Sequence, residues 1–444
     1  MQPDPVVAVR RTTELGLLVL AAVITAGAYV LASLGRASSL PVNLVPFLVI
    51  ILGLLIGAHV AVRMLAPGAD ALLLPLAGLL NGIGYVFVAR LRPDLAGFQA
   101  LWTVLGVTAF VATLLLVPKA RNMERYRYTL AFIGIGLLLM PLLPVLGQNI
   151  NGSRLWIRLG GVTFQPGELS KVVLVVFFAS YLVEKQALLS AGTHQVGGIW
   201  LPEFRHFGPL LLAWSVSLVV MFFERDLGSS LLFFALFIVM LWVATNRWIY
   251  LAIGGVMFSA GSFIAYQMFS HVQTRVETWI DPWSVASTGG YQLLQAAFAF
   301  AAGGLTGTNL AQGSPQRIPA VATDFTFAAI GEELGLLGTT AVLVAFLLMV
   351  GAGLRIAMRA EPPFEKLLAT GLTAIIGFQS FIILAGVTRL IPLTGITLPF
   401  VSYGGSSLIS NYILLALLLR ISDDQASRSA QAAVAQDSTR IGQR

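Results

Sequence analysis

Residues 321–350 read VATDFTFAAIGEELGLLGTTAVLVAFLLMV. After Asp324 the run stays apolar except for Glu332 and Glu333, and it exceeds the roughly 20 residues that carry a helix across a bilayer. Working outward from it, about twelve such segments precede a polar tail. They lie near 15–34, 44–62, 72–89, 98–117, 129–147, 167–183, 208–223, 228–245, 248–269, 326–350, 368–388 and 397–419. Of the 444 residues, 57% are apolar and 11% charged, against about 25% charged in soluble domains. A water-soluble globular enzyme is excluded, because so few polar residues cannot cover that much apolar surface. The expected fold is an all-α polytopic membrane protein, in which the first segment is a retained helix rather than a cleaved signal.

The distribution of cations sets the orientation. With the N-terminus in the cytoplasm, seventeen of the 27 Lys and Arg residues fall in inner loops, Lys119 to Arg127 being the densest cluster; nine fall outside, and Lys171 lies within a span. Both termini are therefore expected inside. Residues 1–70 form an N-terminal segment with two helices, 71–420 a membrane core, and 421–444 an Ala-, Ser- and Gln-rich cytoplasmic tail expected to be disordered. The longest connection, 270–325, then faces outward, and its Trp279, Trp283, Tyr291 and Phe298 predict packing rather than disorder. There is no cysteine, and His59, His194, His206 and His271 are too scattered to suggest a metal cluster.

Charged residues in such a chain need a reason. Asp324, at the end of the long loop, reads either as a helix N-cap or as a carboxylate at the mouth of a cavity, where desolvation makes it a better base. Glu332 lies about 80° around the helix from Asp324 and is the expected cavity residue, with Glu333 on the opposite side. Glu168 and Lys171 have the spacing of an ion pair on one helix, or Lys171 offers its charge to an anionic head group. Arg154 and Arg158 flank Trp156, as an interfacial anchor or as a clamp for pyrophosphate. Glu224-Arg225-Asp226 is a further charged break. Pro392, Gly395, Pro399 and Gly404-Gly405-Ser406-Ser407 interrupt the last apolar region, which predicts a broken helix beside a polar cavity; transporters use such breaks as well.

In order, these segments resemble the SEDS family (shape, elongation, division and sporulation) of RodA and FtsW. The likeness covers about residues 72 to 420. It is carried by Arg154 and Trp156 with Phe164-Gln165-Pro166-x-Glu168-x-x-Lys171, by Asp226-Leu-Gly-Ser229, and by Gly290-Tyr291-Gln292-x-x-Gln295. It continues in Gly303-Gly304-Leu-x-Gly307, Thr323-Asp324-Phe-x-Phe-Ala328 with Gly331-Glu-Glu-Leu-Gly335, and Leu398-Pro-Phe-Val-Ser402-Tyr-Gly-Gly-Ser-Ser407. Each piece alone is weak; the ordered set is specific. The chain departs from the family pattern at Gly167, at Glu224-Arg225, at Ser284 to Thr288, and at Arg389, where a small residue is expected.

The resemblance implies a ten-helix core, with the first two helices as an addition. It also implies a peptidoglycan glycosyltransferase that polymerises lipid II into glycan strands at the outer face of the bacterial plasma membrane, releasing undecaprenyl pyrophosphate. The partner implied is a class B penicillin-binding protein; nucleic acid is not. Asp324 matches the family's essential aspartate. Arg154, Trp156, Arg158, Glu168, Lys171, Asp226, Gln292, Gln295, Glu332 and Ser402 are expected to meet substrate, with Glu168, Lys171 and Asp226 lining the central cavity. No cofactor is required by the sequence, although a divalent cation (Mg or Mn) shared with the pyrophosphate fits the leaving group. The extra helices and short tail favour a role in cell elongation. The alternatives are a division polymerase like FtsW, a flippase or transporter for lipid-linked precursors, and a scaffold that recruits the cross-linking partner.

Overall fold

The computed structural model describes residues 5–37, 44–144, 146–150, 153–160, 162–190, 194–196, 199–201, 215–216, 220–224 and 226–442. The first half carries α1 (Pro5–Ala37), α2 (Leu44–Leu65), α3 (Leu73–Leu91), α4 (Pro93–Leu116), α5 (Arg127–Leu139) and α6 (Pro166–Ser190). The second half carries α7 (Leu227–Thr245), α8 (Ile249–Met268), α9 (Ser270–Ile280), α10 (Tyr291–Gly303), α11 (Thr326–Arg359), α12 (Pro363–Val387) and α13 (Gly405–Gly442). Among the described residues, nine helices are long and apolar enough to cross a membrane, and the chain is a multi-pass helical membrane protein. The expected span 208–223 lies mostly outside the described residues.

Three expectations change. The fifth span, expected over 129–147, ends at Leu139, because Pro141 and Pro144 supply no backbone donor and cannot continue a helix. The chain then forms an antiparallel sheet of β1 (Gly147–Ile150), β2 (Ser153–Leu159) and β3 (Val162–Phe164) in that order. A second pair joins β4 (His194–Val196) to β5 (Ile199–Leu201). The fold remains that of a helical membrane protein with little strand, and Arg154, Trp156 and Arg158 alternating with Leu155, Ile157 and Leu159 has the period of two that suits β2. The last span, expected at 397–419, starts only at Gly405, and its helix runs to Gly442 through the expected disordered tail.

In the core, α13 packs along α4, α11 along α12, and α12 against α6 and α7. The added helices lean on this core, α1 on α3 and α2 on α4. Away from Asp324, the buried Glu14 of α1 pairs with Arg11 and, at 2.7 Å, with His59 Nδ1 of α2. At the Asp324 end, Gln312 Nε2 donates to the Gly35 carbonyl at 2.8 Å, tying α1 to the long loop.

That loop is interlocked with α11. Gly335 interrupts the helix at φ 65°, ψ −163°, a conformation essentially reserved for glycine. The amides freed there find partners in the loop, with Leu336 N donating to Gly304 O at 2.9 Å and Leu337 N to Leu305 O at 3.2 Å. In return Thr308 N donates to Glu332 O at 2.9 Å. A Cβ at Gly335 would lie 2.4 Å from Gly307 N and 2.6 Å from Leu305 O. Gly335→Ala is expected to cost about 1–3 kcal/mol in backbone strain and more in lost packing, seen as a lower Tm in detergent. Gly351→Ala, in the same helix with open space around it, is expected to leave Tm unchanged or raise it.

Candidate active site

Between α12 and α13 the backbone over 388–404 is neither helix nor strand. Inside an apolar bundle each unpaired peptide group costs several kcal/mol, so polar side chains converge on this segment. Arg275 Nη1, from α9, donates to the carbonyls of Leu393 at 3.2 Å and Thr394 at 2.9 Å. Gln379 Nε2, from α12, donates to the Thr397 carbonyl at 3.0 Å. Leu398 N donates to Ser402 Oγ at 3.2 Å. The hydroxyls of Thr394 and Thr397 are buried without a protein partner.

Asp324 sits against the same segment. The turn before α11 winds around the Ala320 carbonyl, which accepts from Thr323 N at 3.1 Å and Asp324 N at 3.0 Å. Two bonds fasten it to the broken segment, Tyr403 N to Ala322 O at 2.8 Å and Ser402 Oγ to Thr326 Oγ1 at 3.3 Å. The first residue outside α11 is Phe325, and no side chain caps the helix. The carboxylate of Asp324 is therefore not used as an N-cap.

At Gly395, whose φ of 77° favours glycine, the position a Cβ would take lies 3.8 Å from Asp324 Oδ2 and 3.9 Å from Arg275 Nη2. Carboxylate and guanidinium thus face one small space that glycine leaves open. Burial pushes the Asp324 carboxyl above its usual range, against the opposing pull of the Thr323 hydroxyl and the Arg275 charge. Burial also pulls the Arg275 guanidinium below its usual value, while Asp226 and Asp324 push it back up; it stays a cation. Sequence reading missed Arg275. The available signal was a lone cation on the amphipathic helix Ser270–Ile280 just before Asp281-Pro282, and no spacing rule singles that out.

Arg275 also lines a groove. About 360 Å³ of space lies between α7, α8, α9 and residues 391–394, lined mainly by apolar side chains such as Phe234, Phe258, Val276 and Leu393. Arg275 is the one charged side chain in this lining, and the rest suits hydrocarbon.

The other expected site residues divide into groups. Asp226 is buried, accepts from Ser229 N at 2.9 Å as the N-cap of α7, and adds its charge to the field at Arg275. Glu168 and Lys171 form a buried ion pair at 2.8 Å, and Lys171 Nζ also donates to Gln379 Oε1 at 3.2 Å. Lys171 is thus held by α6 and α12 and supports the broken segment from below. Ser402 is buried within that segment. Arg154 and Arg158 are exposed and share one face of β2 with the half-buried Trp156; among the described residues no hydrogen bond or ion pair links them to Asp324. Gln292 and Gln295 are half-buried on α10.

Glu332 is a correction. It braces the loop instead of facing the cleft, its Oε1 accepting from Ser314 N at 2.6 Å. Glu333 does the same from the other side, accepting from Ala311 N at 3.0 Å and pairing with Arg90 at 2.9 Å. The helical angle from Asp324 misled because the helix starts only at Thr326, and the turn around the Ala320 carbonyl takes Asp324 out of its register. Among the described residues no group of three His, Cys, Asp or Glu side chains is placed to hold a metal ion.

Fold and site define an integral-membrane protein whose charged cleft adjoins an apolar groove. The chain belongs to the SEDS family: the family model for cell cycle proteins of the FtsW, RodA and SpoVE type matches residues 92–427. It is 45% identical to the peptidoglycan glycosyltransferase RodA of Mycobacterium tuberculosis H37Rv over 430 residues, 94% of this chain and 92% of that one. It is 32% identical to the probable peptidoglycan glycosyltransferase FtsW of Geobacter sulfurreducens over 344 residues, 76% of this chain and 86% of that one. Among solved structures it matches a chain of a peptidoglycan synthase complex that coordinates polymerization and crosslinking, at TM-score 0.64 and 26% identity over 80% of this chain and 98% of that one. The crystal structure of the rod shape determining protein RodA of Thermus thermophilus matches at TM-score 0.57 and 26% identity, over 80% of this chain and 97% of that one.

The buried ion pair gives a direct test. Lys171→Met strands the Glu168 carboxylate and is expected to destabilise the protein by about 3–5 kcal/mol, read as a large fall in Tm. Adding Glu168→Gln removes the stranded charge and is expected to restore most of the loss.

Proposed function

We infer that this chain is a peptidoglycan glycosyltransferase that polymerises lipid II, working during cell elongation as its 45% identical relatives named RodA suggest. The observation that carries the reading is the Asp324 carboxylate and the Arg275 guanidinium facing one space beside a groove suited to a polyprenyl chain. Asp324 takes the proton from the acceptor's 4-hydroxyl as that oxygen attacks the anomeric carbon of the growing strand. The carbon–oxygen bond to undecaprenyl pyrophosphate breaks with inversion, and the leaving group departs with the bonding electron pair. An ordinary aspartate, with a pKa of about 3.9, is a weak base; the upward push from burial brings Asp324 closer to its task.

The pyrophosphate needs a cation at the moment it leaves. Arg275 meets that need, because Lys171 is committed to Glu168 and Gln379, and the groove that Arg275 lines holds the lipid chain. A divalent cation, Mg or Mn, would enter with the phosphates: Asp226 offers an oxygen donor, and phosphate and water would complete the shell. The cation balance of the loops supports both termini in the cytoplasm and Asp324 at the outer face of a bacterial plasma membrane. The likeness to a synthase complex supports a class B penicillin-binding protein as the cross-linking partner.

Purified chain in lipid bilayers is expected to convert labelled lipid II to glycan polymer. Asp324→Asn is expected to abolish this at unchanged Tm, and an active variant overturns the assignment. Arg275→Gln is expected to lower kcat about 100-fold or more, the loss typical of one charge-stabilising donor. The pH profile adds a signed check. Activity falls as Asp324 is protonated, so the acid limb lies above the ordinary aspartate range. Removing the Arg275 charge, which holds that pKa down, moves the limb to higher pH.

A further inference from the structure

Arg389, where the family pattern has a small residue, is not absorbed by the mechanism above. It adopts a left-handed φ of 61°, which costs a non-glycine residue about 1 kcal/mol or more and persists only where surroundings impose it. Its surroundings are the end of α9. The last turn of that helix leaves carbonyls without helical partners. Asp281 N takes that of Glu277 at 2.9 Å. Arg389 takes the last two, Nε to Trp279 O at 2.8 Å and Nη2 to Ile280 O at 2.6 Å. A cation at a helix C-terminus is also favoured by the helix dipole. Trp279 Nε1 returns a bond to the Arg389 carbonyl at 3.1 Å.

One turn earlier on α9, Arg275 reaches the opposite way, to the Leu393 and Thr394 carbonyls. Residues 275 and 279 are four apart and lie on one face of the helix. The helix and the broken segment are therefore joined at two points, each by an arginine of one donating to carbonyls of the other. Val272 and Val276 pack α9 on Ala265 and Leu227; the two polar junctions add to that restraint on the roll of α9, and so to the direction in which Arg275 presents Nη2 beside Gly395 and Asp324.

We propose that Arg389 is a positioning residue that holds Arg275 in register with Asp324. The proposal rests on the role given to those two residues above. Arg389 and Trp279 are in contact with solvent, so their bonds add little to global stability, and their effect falls on local orientation.

The test uses the full chain in bilayers with lipid II. Arg389→Gly keeps the left-handed backbone and deletes the fork; it is expected to lower kcat about ten- to hundredfold, the range that small misplacements cost, with KM and Tm little changed. Arg389→Lys, which keeps the charge but not the planar fork, is expected to recover part of the loss. In an Arg275→Gln background, Arg389→Gly is expected to cause no further loss, because it acts through Arg275. Losses that multiply, or wild-type kcat in Arg389→Gly, overturn the proposal. Amide hydrogen exchange separates this from failure of the activity reading. Faster exchange confined to α9 is expected in Arg389→Gly whether or not the chain polymerises lipid II, and unchanged α9 exchange overturns the clamp. A wild-type chain inert towards lipid II overturns the activity reading alone.

Discussion

Unpaired peptide groups in a low-dielectric bundle have to be satisfied, and the 388–404 segment is where this protein meets that demand. The polar residues that gather around it come from four directions: Arg275 from the loop helix, Gln379 from α12, Ser402 from the segment itself, and Thr326 from the start of α11. Lys171, which has no place in an apolar span by itself, is admitted because it pairs with Glu168 and hands a bond to Gln379. Structure and chemistry share one cause here. The groups that solvate the broken backbone also bring a guanidinium and a carboxylate to the same opening.

The opening survives because the surrounding loop cannot wander. Gly335 breaks α11 where the loop can pair with the freed amides. Glu332 and Glu333 reach back to Ser314 and Ala311, and Gln312 ties in the added helix α1. A long connection is held from three sides by backbone and side-chain bonds, which is what a carboxylate expected to act as a base requires. Preorganisation of this kind spares the reaction the cost of ordering the loop at the moment of attack. The added helix α1, outside the matched family region, thus contacts the very loop that carries Asp324.

The sequence was legible where a residue's local context suffices. Apolar length marks most of the spans, and the prolines and glycines of 392–407 mark the break. Asp324 stands out because it ends a loop beside a long apolar run. Arg275 and Arg389 do not stand out, since each owes its role to carbonyls more than a hundred residues away. The Glu332 expectation failed for a related reason. Helical angles hold only within the helix, and here the turn around Ala320 leaves Asp324 outside it.

What the sequence determines by itself is the solvent, the rough placement of most spans, and the residue types that need an explanation, because hydropathy and charge are additive along the chain. What tertiary structure alone decides is which of those charges meet. Glu168 and Lys171 neutralise each other, Glu332 and Glu333 are spent on the loop, and Asp324 and Arg275 are left facing one cleft. Pairing depends on distances between segments remote in sequence, and those are set by how the broken segment threads the bundle.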